Sequence, residues 1–221
     1  MWCIPAASAE FVAAMEHILD LYQQPYDPKR PQVCFDETSK QLIEETRTPV
    51  PARPGQVARF DYEYRRNGTR NLFLFFEPLV GRRHIEVTLR RTQQDFAHQM
   101  RWLADVAYPH AEHIDVILDN LNTHTYAALY QTFEPAEAHR IARKLTFHYT
   151  PKHGSWLNMA EIEFSVILRK LGPRVPDEET LKRKAKAIED SRNRSHSSVD
   201  WQFTTDDARI KLKRLYPSIS D

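Results

Sequence analysis

The sequence predicts an α/β domain built on one mixed sheet with helices packed over it. Strand-length apolar runs come first, and helical periodicities dominate later. A helical pattern at Phe96, Met100, Leu103 and Ala107 stands between two strand-like runs, as a crossover does. The third observation is bulk: 221 residues, 41% hydrophobic and 11% aromatic, can bury on the order of 70% of the unfolded surface without a disulfide or metal. Disordered and collagen-like readings fall to the same composition. The longest apolar runs, such as Leu72-Phe73-Leu74-Phe75-Phe76, are far short of the roughly 18–20 residues of a membrane span.

Taken in order, Val12, Met15, Leu19 and Tyr22 have helical spacing behind a Ser8 N-cap. The prolines at 25, 28 and 31 then end that helix and mark a linker. Val33 to Phe35 and Gln41 to Ile43 read as two short strands separated by a polar turn. Tyr62 to Tyr64 and Asn71 to Phe76 flank Asn67-Gly68, a pair suited to a tight hairpin. Leu72 to Phe76 lacks alternation and is expected to be a central strand. Ile85, Val87 and Leu89 alternate as a half-buried strand would, and Ile114 to Leu118 forms a further apolar strand. Helical sequence runs from Tyr126 to Leu145 with a break near Pro135. A strand follows at Thr146 to Tyr149, then a helix from about Ser155 to Leu171. The implied division is residues 1–30 as helix and linker, 31–172 as the main domain, and 173–221 as a basic helical extension.

Charge is nearly balanced, 31 Lys and Arg against 30 Asp and Glu. Between Arg169 and Arg214 the balance is thirteen to eight, so the tail is basic and the body mildly acidic. Such a tail suits a phosphate backbone, or is simply a solvated helical face. Only two cysteines occur, Cys3 and Cys34, which fits a reducing compartment, and Cys34 reads as core. The start, Met1 to Ala7, has neither the basic head nor the apolar stretch of a secretory signal. These features predict a cytosolic-type chain with no membrane partner.

Three acidic positions stand where an α/β sheet displays function. Asp36 follows the run Val33 to Phe35, Asp119 follows the strand Ile114 to Leu118, and Glu161 lies on the helix after Ser155. Carboxylates at strand ends converge on the crevice outside the sheet's carboxyl edge. Three together repel unless cations occupy the site, and hard oxygen donors suit Mg²⁺ or Mn²⁺. Two such ions roughly 3.5–4 Å apart activate a water and stabilise the leaving oxygen of a phosphodiester.

The surrounding words sharpen this. Cys34-Phe35-Asp36-Glu37-Thr38-Ser39, Leu118-Asp119-Asn120-Leu121-Asn122-Thr123-His124 and the stretch from His148 through Pro151-Lys152-His153-Gly154-Ser155-Trp156-Leu157-Asn158-Met159-Ala160-Glu161 occur in that order, ahead of Phe203-Thr204-Thr205-Asp206-Asp207-Ala208-Arg209. Together they resemble the DDE transposases of bacterial insertion sequences in the mariner-like superfamily, specifically the IS six-thirty group. The resemblance implies a ribonuclease-H-like mixed sheet with flanking helices and a pair of Mg²⁺ or Mn²⁺ ions. It also implies cutting and joining of double-stranded DNA at transposon ends and target, in a bacterial cytoplasm and on the nucleoid when DNA-bound. By motif, Asp36 and Asp119 correspond to the first two catalytic carboxylates. Glu161, in Leu-Asn-x-x-Glu, corresponds to the third. A homo-oligomer is the expected assembly.

Neighbouring residues carry weaker expectations. Asn120 and His124 either orient the second carboxylate, touch a phosphate, or serve as loop residues bonding their own backbone. Lys152 and His153 precede a helix N-terminus that attracts anions and are expected at DNA. Glu37 points away from Asp36 by strand alternation. Glu163 projects away from Glu161 on the helix, so Glu163→Gln is expected to be nearly silent. His110 and His113 read as a solvated helix end rather than a zinc pair, and Trp156 as packing. Family members normally begin with helix-turn-helix modules, and none precedes Asp36 here. The expectation is a catalytic half, perhaps completed by a separately encoded helix-turn-helix half, whose own DNA binding is weak, salt-dependent and indifferent to sequence. Two alternatives are an inactive remnant that only binds or dimerises and a carbohydrate hydrolase using two carboxylates without metal.

Overall fold

The structure, a computed structural model, describes residues 7–48, 50–59 and 61–218. Cys3 and the start of the chain lie outside them. Five strands form one sheet: β1 (Gln32–Glu45), β2 (Tyr64–Glu77), β3 (Arg82–Thr88), β4 (Ile114–Leu118) and β5 (Leu145–Tyr149), in the spatial order β3-β2-β1-β4-β5. β1, β2 and β3 are antiparallel neighbours, whereas β4 runs parallel to both β1 and β5. Helices α2 (Gln93–Trp102), α3 (Tyr126–Thr132) and α4 (Pro135–Lys144) cover one face. Helices α1 (Ala9–Tyr22), α5 (Met159–Leu171), α6 (Glu178–Arg194) and α7 (Thr205–Lys211) cover the other.

Strand alternation builds both cores from the same residues. Leu72, Leu74 and Phe76 face α1 and α5, while Phe73 and Phe75 face α2 with Phe35 and Phe96. That two-sided burial is why Leu72 to Phe76 has no polar alternation. α1 begins as its sequence suggests, with the Ser8 hydroxyl accepting from Phe11 N–H at 3.3 Å. The C-terminal elements share the same core through Val175, Leu181, Ala185, Ala208 and Leu215. Among the described residues no helix is long and apolar enough to cross a membrane.

Three local expectations are corrected. The two short strands at 33–35 and 41–43 are one strand, β1, and the polar stretch between them is paired across to β2, Asp36 opposite Leu74 and Lys40 opposite Arg70. Their side chains bond polar partners across the fold, Ser39 to Asn71 and Lys40 to the Gly172 carbonyl, and the chain does not turn there. Asn67-Gly68 is likewise no hairpin. Gln41 pairs with Thr69 and Ile43 with Arg66, so Asn67 and Gly68 together oppose Leu42 alone. This is a β-bulge, and Gly68 supplies its positive φ of 85°. Leu89 falls beyond the end of β3 and is 63% exposed.

Candidate active site

Pairing between β1 and β4 covers Gln32 to Cys34 only, ending at Cys34 opposite Ile117. Beyond that point the two parallel strands part. Asp36 stands two residues past the split on β1, and Asp119 follows the last residue of β4. The crevice between diverging parallel strands is where an α/β sheet has room for a ligand. Asn158 closes its floor: the side chain is 1% exposed, donates to the Phe35 carbonyl at 2.9 Å and accepts from Ala160 N–H at 3.1 Å as the N-cap of α5. One amide therefore ties the start of α5 to β1 one residue before Asp36. Tyr22 adds a second tie, donating to the Leu157 carbonyl at 2.6 Å. Glu161, in the first turn of α5, is carried to the same crevice.

The three carboxylates act on one another. Burial first, and then the charges of Glu37, Asp119 and Glu161, push the Asp36 carboxyl up to about 7 against one backbone donation from Glu37 N–H. Glu161 is raised by burial and by the Asp119 charge, with a Ser155 hydrogen bond opposing. The charges that act on Asp36 and Glu161 are those of other carboxylates. An all-oxygen, excess-negative donor set fits a hard divalent cation. Among the described residues, however, no three His, Cys, Asp or Glu groups already stand at the spacing of a finished metal cage.

Glu163, two residues along, lies in a different setting. It is 3% exposed and sits 2.9 Å from Arg83 Nε, while Arg192 donates to both its oxygens at 2.5 and 2.7 Å. Arg83 is itself fully buried, with its guanidinium over the Phe76 ring. The near-silence expected of Glu163→Gln in cleavage does not extend to stability, since removing the acid leaves a buried guanidinium without its counter-charge.

His124 is 1% exposed, its ring 4.8 Å from Phe96 and 5.3 Å from Phe35. Its Nε2 lies 2.9 Å from Glu37 and its Nδ1 2.6 Å from Asp119. Burial disfavours the charged ring, but bonds to Asp119 and Glu37 outweigh it and lift His124 to about 9. The phosphate-contact expectation for His124 is corrected accordingly: the ring is enclosed and both nitrogens face carboxylates. Asn120, directly after Asp119, is exposed, as are Lys152 and His153 on the turn after β5, where His153 has a φ of 66°. Trp156 packs on Trp201 and Phe203. Cys34 is buried, and His110 and His113 are exposed.

Sequence reasoning missed Asn158 and Glu37 as parts of the site. Asn158 carried a usable signal, an N-cap type three residues before the acid. Glu37 carried none, because only the fold reveals what its side chain meets. The basic tail is also less free than its composition suggests: Arg174, Lys182, Lys186, Arg192, Arg209 and Lys211 all pair with carboxylates.

Residues 31–182 match a family model described as DDE superfamily endonuclease. Solved structures with the same fold include a pre-cleavage Mos1 transpososome, at 12% identity and TM-score 0.63, covering 96% of this chain and 63% of that one. The Mos1 paired-end complex with the left transposon end matches at 15% identity and TM-score 0.60, covering 97% and 64%. The Mos1 strand transfer complex matches at 15% and 0.58, covering 85% and 55%. The chain thus spans less than two thirds of these proteins. No curated protein matches it.

Proposed function

We propose, from the premise that this chain belongs to the DDE superfamily of endonucleases, that it is the catalytic domain of a transposase. In this reading it cuts double-stranded DNA at the ends of a mobile element and joins them to a target. The observation that carries the reading is the carboxylate triad at the parting of β1 and β4, with Asp36 and Glu161 both raised by burial and by neighbouring acids, on the fold shared with the Mos1 complexes. Asp36, Asp119 and Glu161 are the residues that would hold divalent ions, and Mos1 complexes with Mn and with Mg are among the matching structures. Bound there, Mg²⁺ or Mn²⁺ lowers the pKa of water and stabilises the leaving oxygen.

The chain's own part is placement. β1 is an interior strand, so Asp36 is fixed by pairing to β2, while Asn158 fixes where α5 delivers Glu161. In the first reaction a water oxygen bonds to phosphorus and the bond to the 3′ oxygen breaks, giving a 5′-phosphate and a 3′-hydroxyl. That hydroxyl then attacks a target phosphodiester, displacing its 3′ oxygen. Lys152 and His153, beside the α5 N-terminus, and Asn120 contact the backbone and position the duplex without reading its sequence. The assembly is a homo-oligomer on paired ends.

The test is nicking of a duplex carrying the terminal repeat of the element that encodes the chain, assayed with MnCl₂. Cleavage is expected to vanish in Asp36→Asn and in excess chelator while circular dichroism stays unchanged. Nicking that persists in chelator defeats the reading.

A further inference from the structure

In the loop from Asp119 to Thr125 the residues Asn120 to Asn122 are exposed, yet the His124 side chain is buried between two acids. The loop backbone around it is pinned, with His124 N–H donating to the Leu121 carbonyl at 2.9 Å and Tyr149 donating its hydroxyl to the His124 carbonyl at 2.7 Å. Phe35 and Phe96 hold the ring itself. On its far side stands Glu37, whose side chain is 3% exposed and which belongs to the interior strand β1. Arg91 comes no nearer to that carboxylate than 3.9 Å. The ring therefore has one immobile neighbour, Glu37, and one at the mouth of the crevice, Asp119, whose side chain is 37% exposed.

Burying a carboxylate and an imidazole is expensive, and apolar side chains of similar volume would fill the space with no desolvation penalty. A charged pair supplies what apolar packing does not, which is a direction for the third group. With the ring held between two aromatics and beside one buried acid, its Nδ1 stands 2.6 Å from Asp119 Oδ1 and 3.3 Å from the Asp119 backbone carbonyl oxygen, so it meets that residue at two atoms. Partners of this kind, one bond removed from a metal ligand, orient the ligand.

We propose that Glu37 and His124 form a buried positioning pair that sets the orientation of the Asp119 carboxylate toward a divalent cation in the crevice. The proposal rests on the reading of Asp119 as a metal ligand. His124 itself touches neither cation nor DNA; it acts through Asp119. With the ring gone, Asp119 rotates freely at the end of β4, and a cation must order it on binding.

The test is Mn²⁺ binding to the full chain by isothermal titration, without DNA or turnover. His124→Ala is expected to weaken binding by about tenfold to a hundredfold. His124→Gln, which keeps an N–H toward Asp119, is expected to recover part of that loss. Glu37→Gln, which keeps the side chain's shape should the alanine variant fold poorly, is expected to give a smaller loss. In an Asp119→Asn background, His124→Ala is expected to add nothing further, as required if it acts through that carboxylate. In the nicking assay the loss should fall on kcat, with KM for the duplex unchanged. Full Mn²⁺ affinity in His124→Ala and Glu37→Gln beside a weakened Asp119→Asn would overturn the positioning role and leave the site reading intact. An Asp119→Asn chain that binds Mn²⁺ normally would overturn the site reading, and this inference with it.

Discussion

Glu161 and Glu163 stand two residues apart on α5 and meet opposite surroundings. Glu163 turns into the sheet, where Arg83 and Arg192 flank it. Glu161 turns to the crevice, where what it meets is more negative charge. The contrast extends beyond the helix. Buried Asp115 is bonded by Arg30 at 2.6 Å and by His148 at 2.7 Å, and Glu189 by His84 and the Ile85 N–H. Those acids sit below their ordinary pKa range because, despite burial, their bonds favour ionisation. Asp36 and Glu161 sit above it. A buried acid matched by cations is part of the framework, whereas half-buried Asp36 and Glu161, raised by burial and by neighbouring acids, stand where a ligand would bring the positive charge.

The largest effect expected from this contrast is on chemistry. Asp36→Asn should lower nicking by about a thousandfold or more, since the site loses charge and geometry together. Single-turnover cleavage of the end duplex measures it, and wild-type-like cleavage would mean that the unmatched cluster is not where the reaction occurs.

Next comes the framework acid. Glu163→Gln should destabilise the fold by about 3–5 kcal/mol, because a buried guanidinium loses its counter-charge. Urea unfolding reads this directly, while nicking per folded molecule should survive. Lost nicking at unchanged stability would erase the distinction between the two glutamates.

The pH dependence of stability sharpens the same point. The unfolded chain releases the Asp36 proton near 3.8 and the fold holds it to about 7. Between those values the native state carries the extra proton, so its contribution to stability falls as pH rises, then levels off. In chelator at pH 8, Asp36→Asn should therefore be more stable than the parent by on the order of 1–3 kcal/mol. Adding Mn²⁺ should cancel the difference. Thermal unfolding in both buffers would show it, and a variant no more stable than the parent in chelator contradicts the repulsion.

The smallest effect belongs to His84, raised despite burial by its bonds to Glu189 and Glu86. A raised histidine stabilises fully below about 6.5 and loses that contribution as pH climbs through its folded value; lowered Glu189 contributes above about 4.5. His84→Asn should cost up to about 1 kcal/mol at pH 5.5 and less at pH 8.5. Equal losses at both pH values would remove the ion pair from the account.

Much of this was legible in the linear chain because it depends on local rules. The N-cap at Ser8, the unalternating run of β2, the crossover helix and the break at Pro135 are encoded within a few residues each. The positions of Asp119 just past β4 and of Glu161 in the first turn of α5 could be read the same way, whereas Asp36, expected at a strand end, lies inside β1 where its pairing to β4 stops. Asn67-Gly68 misled because a positive φ serves a hairpin and a bulge equally, and only the partner strand distinguishes them. The polar stretch after Phe35 misled for a related reason, since a strand whose side chains bond polar partners and a turn share a composition.

Charge pairing over long sequence separations is what the tertiary structure alone decided. Glu163 meets Arg192 across 29 residues, and Glu37 on β1 meets His124 on the loop that follows β4. A carboxylate's role depends on the sign of whatever lies within a few ångströms, and Coulomb interaction follows distance in space rather than along the chain. The sequence by itself determined which acids could gather at the crevice; folding determined which acids were neutralised and which were left facing one another.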